Sequence, residues 1–273
     1  MNLMMLLEMA ASGLGARVAV KSGGDALTYS ELFGAAGAAA ADVSSAGAER
    51  LAVLDVSSLA VPVGLFASAW SGLPFVPLNY RLTGEELDAL VAQIAPSYLV
   101  TEESRVERLA HLQRTEVVTR EAFLEGARSF AHGEPSWSMD PDEIAILLFT
   151  SGTTGPPKAA VLRHKHLVSY ILGSVEFGSA AEEDAALVSV PPYHIAGIAA
   201  IASSVYSGRR IVQLPNFTAE GWLELAREER VTNAFVVPTM LARIVEALAG
   251  ADTADLPHLR AISYGGGKMH QSV

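Results

Sequence analysis

Cysteine is missing from all 273 residues. Its absence excludes disulfides, thiolate metal sites and a cysteine nucleophile, and it fits a reducing compartment. Basic residues are scarce: 19 Lys and Arg face 30 Asp and Glu, giving a formal net charge of -11. A chain this acidic is a poor partner for a nucleic-acid backbone or an anionic membrane, although a local cluster of donors can still hold an anionic small molecule. Charged residues make up only 18% of the chain and apolar residues 50%, which marks it as globular rather than disordered. The length allows one large domain or two smaller ones around a sizeable core.

Long uninterrupted apolar runs are also few. The N-terminal "MNLMMLLEMAASGLGA" lacks a basic leader and is broken by Glu8, so no signal peptide is expected. Leu59 to Leu78 is uncharged and long enough to test as a membrane span. Pro62, Pro74 and Pro77, with Gly64 and Gly72, instead divide it into a helix, a turn and a strand. The expectation is a cytoplasmic chain without a membrane span.

Short, β-branched, almost uncharged runs alternate with helical patterns. Strands are expected at Leu51–Val56, Phe75–Leu78, Tyr98–Thr101, Glu116–Thr119, Ala145–Thr150, Ala186–Val190, Arg210–Leu214 and Ala234–Val237. Thr28 with Glu31, and Thr83 with Glu86, read as capping boxes opening helices. Leu87, Leu90, Val91 and Ile94 make one apolar stripe. Leu241, Ile244, Val245 and Leu248 make another, with Gly250 placed to end it. This alternation predicts an α/β fold of mostly parallel, doubly wound sheets with flanking helices. Residues 128–143 form a long loop, no internal repeat is visible, and the alanine abundance reads as compositional.

The chemistry concentrates after the strand "AILLFT", in "SGTTGPPK". A glycine-rich turn following a buried strand presents backbone N–H groups to an anion. Ser151, Thr153 and Thr154 add hydroxyls, and Lys158, one of four lysines, adds a full positive charge. Phosphate best uses all of these donors together. A Walker loop is excluded, because no GK[ST] follows at the required spacing and Pro156 and Pro157 block the helix such a loop opens into. His164 and His166 could be read as an H-x-H metal pair, but without a third ligand nearby they read as the basic first turn of a surface helix.

"FTSGTTGPPKAAVLRH" resembles the signature loop of the adenylate-forming enzymes, the superfamily of acyl-CoA synthetases, firefly luciferase and peptide-synthetase adenylation domains. The matching positions are Thr150, Ser151, Gly152, Thr153, Thr154, Gly155, Pro157, Lys158 and His164, with Ala159 where the family usually has glycine. "LTYSEL" (Leu27–Leu32), "FVPLNYRLTGEEL" (Phe75–Leu87), "VPPYHIAGI" (Val190–Ile198), "VVPTMLARIV" (Val236–Val245) and "LRAISYGGG" (Leu259–Gly267) resemble further family segments in the same order.

The resemblance implies a large N-terminal AMP-binding domain of two interleaved α/β subdomains. It also implies an AMP-forming ligase that joins a carboxylic acid to AMP and passes the acyl group to coenzyme A, with ATP and Mg²⁺. On that basis Thr150, Ser151, Gly152, Thr153, Thr154, Gly155 and Lys158 would hold the triphosphate. His194, with Lys158 the second catalytic candidate, would gate the acyl site. Gly265, Gly266 and Gly267 would pack against adenine and the acyl chain, and Pro238, Thr239 and Met240 would approach the pocket. The small residues Ala196, Gly197, Ala199 and Ala200 would leave room for a sizeable acyl group. No acid stands in "YHIAGIAAIA", which favours a simple carboxylic acid, fatty or aromatic, over an amino acid whose ammonium needs a paired carboxylate.

Family members continue through a Tyr-Gly-x-Thr-Glu segment, a ribose-binding aspartate, a hinge and a C-terminal lid domain with its own lysine. Lys268 lies in the wrong segment to replace that lysine. The expectation is therefore a truncated chain with weak or no complete turnover alone, with an open sheet edge that invites a second copy or a completing chain. Two other readings stay open: an acyl-AMP or aryl-acid ligase feeding a carrier protein, and a non-catalytic nucleotide- or acyl-binding remnant.

Overall fold

The computed structural model describes residues 1–129, 136–150, 157–248, 250–251 and 253–269. Helix α1 (Met4–Leu14) leads into a hairpin of β1 (Val18–Ser22) and β2 (Asp25–Thr28). Helix α2 (Tyr29–Ser45) then opens on a complete capping box: the Thr28 hydroxyl accepts from Glu31 N–H, and the Glu31 carboxylate accepts from Thr28 N–H. Strand and helix now alternate through β3 (Leu51–Leu54), α3 (Ala60–Ser71), β4 (Phe75–Pro77), α4 (Gly84–Ile94), β5 (Ser97–Thr101), α5 (Glu103–Leu109), β6 (Thr115–Thr119), α6 (Arg120–Ala127) and β7 (Ile144–Thr150). β8 (Lys158–Arg163) turns back antiparallel on β7. The rest is α7 (His164–Ser174), β9 (Ala185–Val188), α8 (Ile195–Ser207), β10 (Arg210–Gln213), α9 (Ala219–Glu228), β11 (Asn233–Val236), α10 (Pro238–Ala247) and β12 (Ala261–Tyr264).

These strands form two six-stranded sheets, ordered β12-β11-β9-β10-β1-β2 and β6-β5-β3-β4-β7-β8. Each is parallel except for its last strand, β2 in one and β8 in the other. Helices lie between the sheets and on both outer faces. The shared middle layer draws on α1, α2, α3 and α8, with Tyr29, Phe66, Phe75 and Ile198 among its buried residues. α9 and α10 cover one outer face around Trp222, and α4 covers the other through Leu87, Leu90, Val91 and Ile94.

The uncharged run at Leu59–Leu78 folds as expected. α3 is buried almost all round, Gly72 ends it at φ 71°, and β4 follows. No helix among the described residues is long and apolar enough to cross a membrane. The alanines of α2 have a structural use after all: Ala35, Ala36, Ala39 and Ala40 are at most 3% exposed and pack α2 into the middle layer. Side chains this short let helix backbones approach closely, and larger ones would overpack the layer.

Strands β1, β2, β8 and β12 are the ones composition did not announce. All lie in the terminal pairs of their sheets or at an edge, where a strand is less apolar and less buried. β12 is exposed at every residue, with Ile262 and Tyr264 turned to solvent.

Candidate active site

In an open parallel sheet, ligands sit beyond the carboxyl ends of neighbouring strands whose chains depart in opposite directions. The second sheet has two such places, between β3 and β5 and between β4 and β7. The first is filled by protein. Asp55, 4% exposed, accepts from Arg120 Nη1 at 3.0 and 3.2 Å, from Ser58 Oγ at 2.6 Å and from Val56 N–H at 2.9 Å. The second lies beside the carboxyl ends of β4 and β7, where the chain runs into Tyr80 and towards Lys158 respectively.

The first sheet also has two, between β10 and β1 and between β9 and β11; the second of these bears on the site. The chain leaving β9 carries Tyr193 and His194; the chain leaving β11 carries Pro238, beside which the turn after β12 lies. Tyr80 and Tyr193 meet edge-to-face with ring centroids 5.3 Å apart, so the two crevices touch. His194 continues the row against Tyr193 at 4.6 Å, and the Arg81 guanidinium stands 5.8 Å from the Tyr80 ring centroid. Burial holds the His194 imidazole below its usual pKa, and the Arg81 charge adds to the effect. It is therefore neutral at pH 7.

Thr150 and Lys158 close the two ends of the donor-rich segment as antiparallel partners. Lys158 is exposed, and Pro157 is tied back by a 3.5 Å bond from the Gln93 amide to its carbonyl. A strand, not a helix, follows the prolines, as their rings require. Ser151, Gly152, Thr153, Thr154 and Gly155 lie outside the described residues.

Gly265–Gly267 turn directly after β12. A Cβ on Gly265 would meet the Phe235 ring at 3.2 Å, and Gly266 sits at φ 80°, where glycine is preferred. Gly267 approaches Pro238.

Behind His194 opens a cavity of about 690 Å³ between α7, α8 and the inner face of the first sheet. Ala196, Ala199, Ala200 and Ser203 line it along α8, and Val188 and Phe235 line it from the sheet. Gly197 does not. It is small for another reason, because a Cβ there would meet the Val190 and Pro191 carbonyl oxygens at 3.2 and 3.1 Å. Pro238, Thr239 and Met240 do not line it either; Pro238 begins α10, and Met240 packs on the outer face with the Trp222 cluster. The far end of the cavity reaches Arg209, whose place before β10 no sequence motif marks.

The expected surface turn "RHKH" is half corrected. Lys165 pairs with Asp142, and His166 Nδ1 accepts from Arg163 N–H at 3.2 Å, both at the surface. His164 is 2% exposed and its Nδ1 accepts from Leu3 N–H at 3.2 Å, which anchors the N-terminal helix to α7. Burial, helped by the N-terminal ammonium, pushes its pKa down to about 4. Among the described residues no cluster of three His, Cys, Asp or Glu could hold a metal ion.

Two mostly parallel sheets that share a helical layer, with carboxyl-end crevices joined at Tyr80 and Tyr193 beside a large cavity, define an α/β scaffold suited to holding a small molecule. The AMP-binding enzyme family matches residues 7–273. The chain belongs to that family. It is 33% identical over 253 residues to a feruloyl-CoA synthase from Amycolatopsis sp, covering 91% of this chain and 51% of that protein. It is 30% identical over 270 residues to the fatty acid–[acyl-carrier-protein] ligase ScoC of Streptomyces coeruleorubidus, covering 93% of this chain and 51% of that one. The N-terminal domain of FACL13 from Mycobacterium tuberculosis superposes with a TM-score of 0.86 at 22% identity, over 99% of this chain and 71% of the other. The chain spans about half the length of the curated relatives it matches.

Proposed function

We propose that this chain serves ATP-dependent activation of a carboxylic acid to an acyl-adenylate, followed by acyl transfer to coenzyme A. The observation that carries the reading is the junction at Tyr80 and Tyr193. It brings Lys158, where the chain re-enters the sheet, and the cavity behind His194 onto two crevices that touch.

In the first step a carboxylate oxygen bonds to the α-phosphorus of ATP, and the bond to the pyrophosphate oxygen breaks. Negative charge grows on the leaving group, and donors fixed in advance lower that barrier most. Lys158 and the segment from Thr150 to Gly155 are the donors assigned to this charge. Mg²⁺ enters with the nucleotide as the counter-ion of its phosphates. Neutral His194, N-cap of α8 and next to Ile195 of the cavity lining, can donate one N–H to the carboxylate without trapping it as a salt. Gly265, Gly266 and Gly267 offer a side-chain-free wall to a flat base. In the second step the thiol sulfur bonds to the acyl carbon and AMP leaves.

The similarity to an acyl-carrier ligase supports a carrier-protein thiol as the alternative acceptor. Two measurements test the proposal: calorimetric ATP binding to this chain, and acid-dependent exchange of pyrophosphate into ATP by the native protein as cells make it. Exchange that depends on a fatty or aromatic acid supports it. ATP binding with no exchange for any acid overturns it in favour of a nucleotide-binding role. Thioester assays with coenzyme A and with a carrier separate the two acceptors.

A further inference from the structure

The cavity behind His194 is mostly apolar, with His166, Tyr170 and several serines also on its lining, and Arg209 stands at one end. From Ile195 at the mouth to Ser204 near the floor, the lining follows α8 for about 14 Å at 1.5 Å per residue. Arg209 comes two residues after α8, just past Gly208, which is in the left-handed conformation at φ 78°, and just before β10 begins. It therefore lies at the end of the sheet opposite the carboxyl-end crevice.

Arg209 is half-buried, and its Nε is wholly enclosed without a hydrogen-bond partner among the described residues. Its backbone is fully used: its N–H donates to Ser204 O, and its carbonyl accepts from the Tyr29 hydroxyl at 3.0 Å. Among the described residues its side chain makes no ion pair. Asp184 is the nearest candidate, but it is committed to Arg260 Nη1 at 2.8 Å and to Ala181 N–H. Neighbouring arginines are satisfied: Arg210 pairs with Glu229, and Arg17 donates to the Ala180 carbonyl.

A second donor stands across the same floor. Asn233 lines the cavity and pairs with Ala186 on β9, next to the Ala185 level occupied by Arg210 on the other side. Its amide oxygen accepts from the Thr232 hydroxyl at 2.9 Å, which turns the amide NH₂ to other partners. A guanidinium and an amide thus flank one strand end of a mostly apolar pocket whose lining also carries Ser203, Ser204 and the exposed His166 and Tyr170. An enclosed guanidinium Nε without an acceptor is costly, and the cost is recovered when an anion or strong acceptor arrives.

We infer that Arg209, with Asn233, is a specificity site for a second carboxylate on the substrate, making the acid activated here a dicarboxylic acid with an apolar spacer. One carboxylate sits at the mouth near His194 and reacts; the other sits about 14 Å deeper on the guanidinium, the length of the α8 lining. A monocarboxylic acid of equal length would leave Arg209 unpaired and lose a charge-assisted hydrogen bond, a difference of about tenfold to a hundredfold in affinity. The inference rests on the cavity being the acyl site.

Titration calorimetry of this chain with ATP present, comparing decanedioic acid with decanoic acid, tests it. Decanedioic acid is expected to bind about tenfold or more tighter. Arg209→Met, of similar length and no charge, is expected to erase or reverse that preference while keeping decanoic acid binding, and Arg209→Lys to keep part of it. Melting temperature reports whether each variant folds; should Arg209→Met fail to fold, the Arg209→Lys comparison and the wild-type ratio decide. Equal or stronger binding of decanoic acid by the wild type overturns the inference and leaves the proposed activation chemistry standing. So does a preference unchanged in Arg209→Met. Binding of ATP with neither acid overturns both the inference and the acyl reading of the cavity.

Discussion

Thr150 and Lys158 face one another across β7 and β8, the last residue of one strand against the first of the next. Pairing of this kind fixes where the donor-rich segment leaves and re-enters the sheet. The lysine is carried on a strand beside the β4–β7 crevice rather than on a free tail.

Because Lys158 is exposed at the start of an edge strand, its side chain does little for the fold. Lys158→Met is expected to leave the melting temperature within a degree or so and to weaken ATP binding by about tenfold to a hundredfold, the worth of one charge-assisted hydrogen bond. Calorimetric titration of ATP into both proteins checks this. Equal affinities would remove Lys158 from the phosphate site.

His194 is held below the usual imidazole pKa of 6.5 by burial and by Arg81. Protonation at the cavity mouth therefore begins only under more acidic conditions than for a free histidine. The pH profile of acid-dependent exchange is expected to carry an acid limb below pH 6.5. In His194→Phe that limb should disappear. A limb that persists in the variant belongs to another group.

His164 makes the stability of the fold depend on pH. Its folded pKa of about 4 lies below the 6.5 of an ordinary histidine, so the unfolded chain binds a proton that the folded chain refuses. That contribution is whole above pH 6.5 and is lost as pH falls towards 4, on the order of 3 kcal/mol in all. Urea unfolding across that range checks it. His164→Gln should flatten the slope; an unchanged slope would place the effect elsewhere.

Neighbouring small residues on α8 are small for opposite reasons, and substitutions separate them. Gly197→Ala drives a Cβ into two backbone carbonyls that cannot move aside, and is expected to destabilise the fold by about 1–3 kcal/mol. Ala196→Phe enters open cavity, so stability should hold while binding of longer acids falls relative to shorter ones. Thermal melts and a chain-length series of acids measure both.

Much of this was legible in the chain itself. The buried central strands announce themselves as short uncharged runs, because a strand covered on both faces tolerates nothing else. The Thr28–Glu31 box forms in full, and Glu86 takes both the N–H and the hydroxyl of Thr83, because capping is settled within four residues. The segment from Thr150 to Lys158 marks the family through residue type alone.

What sequence could not state are the relationships that cross the chain. β2 and β12 are short edge strands with exposed residues that carry no strong period, and β1 is too short to show one. His164 reads as surface until Leu3, far away in sequence, comes to cover it. Tyr80 meets Tyr193 only because two sheets share one helical layer. Arg209 becomes a cavity floor only when α8 folds back against β10 and leaves its Nε enclosed. The sequence by itself determined the buried central strands, the helix caps and the family, which depend on local periodicity and residue type. Only the tertiary structure decided which side chains lost water and which stood opposite one another, and those two things set a charge's pKa and a pocket's selectivity.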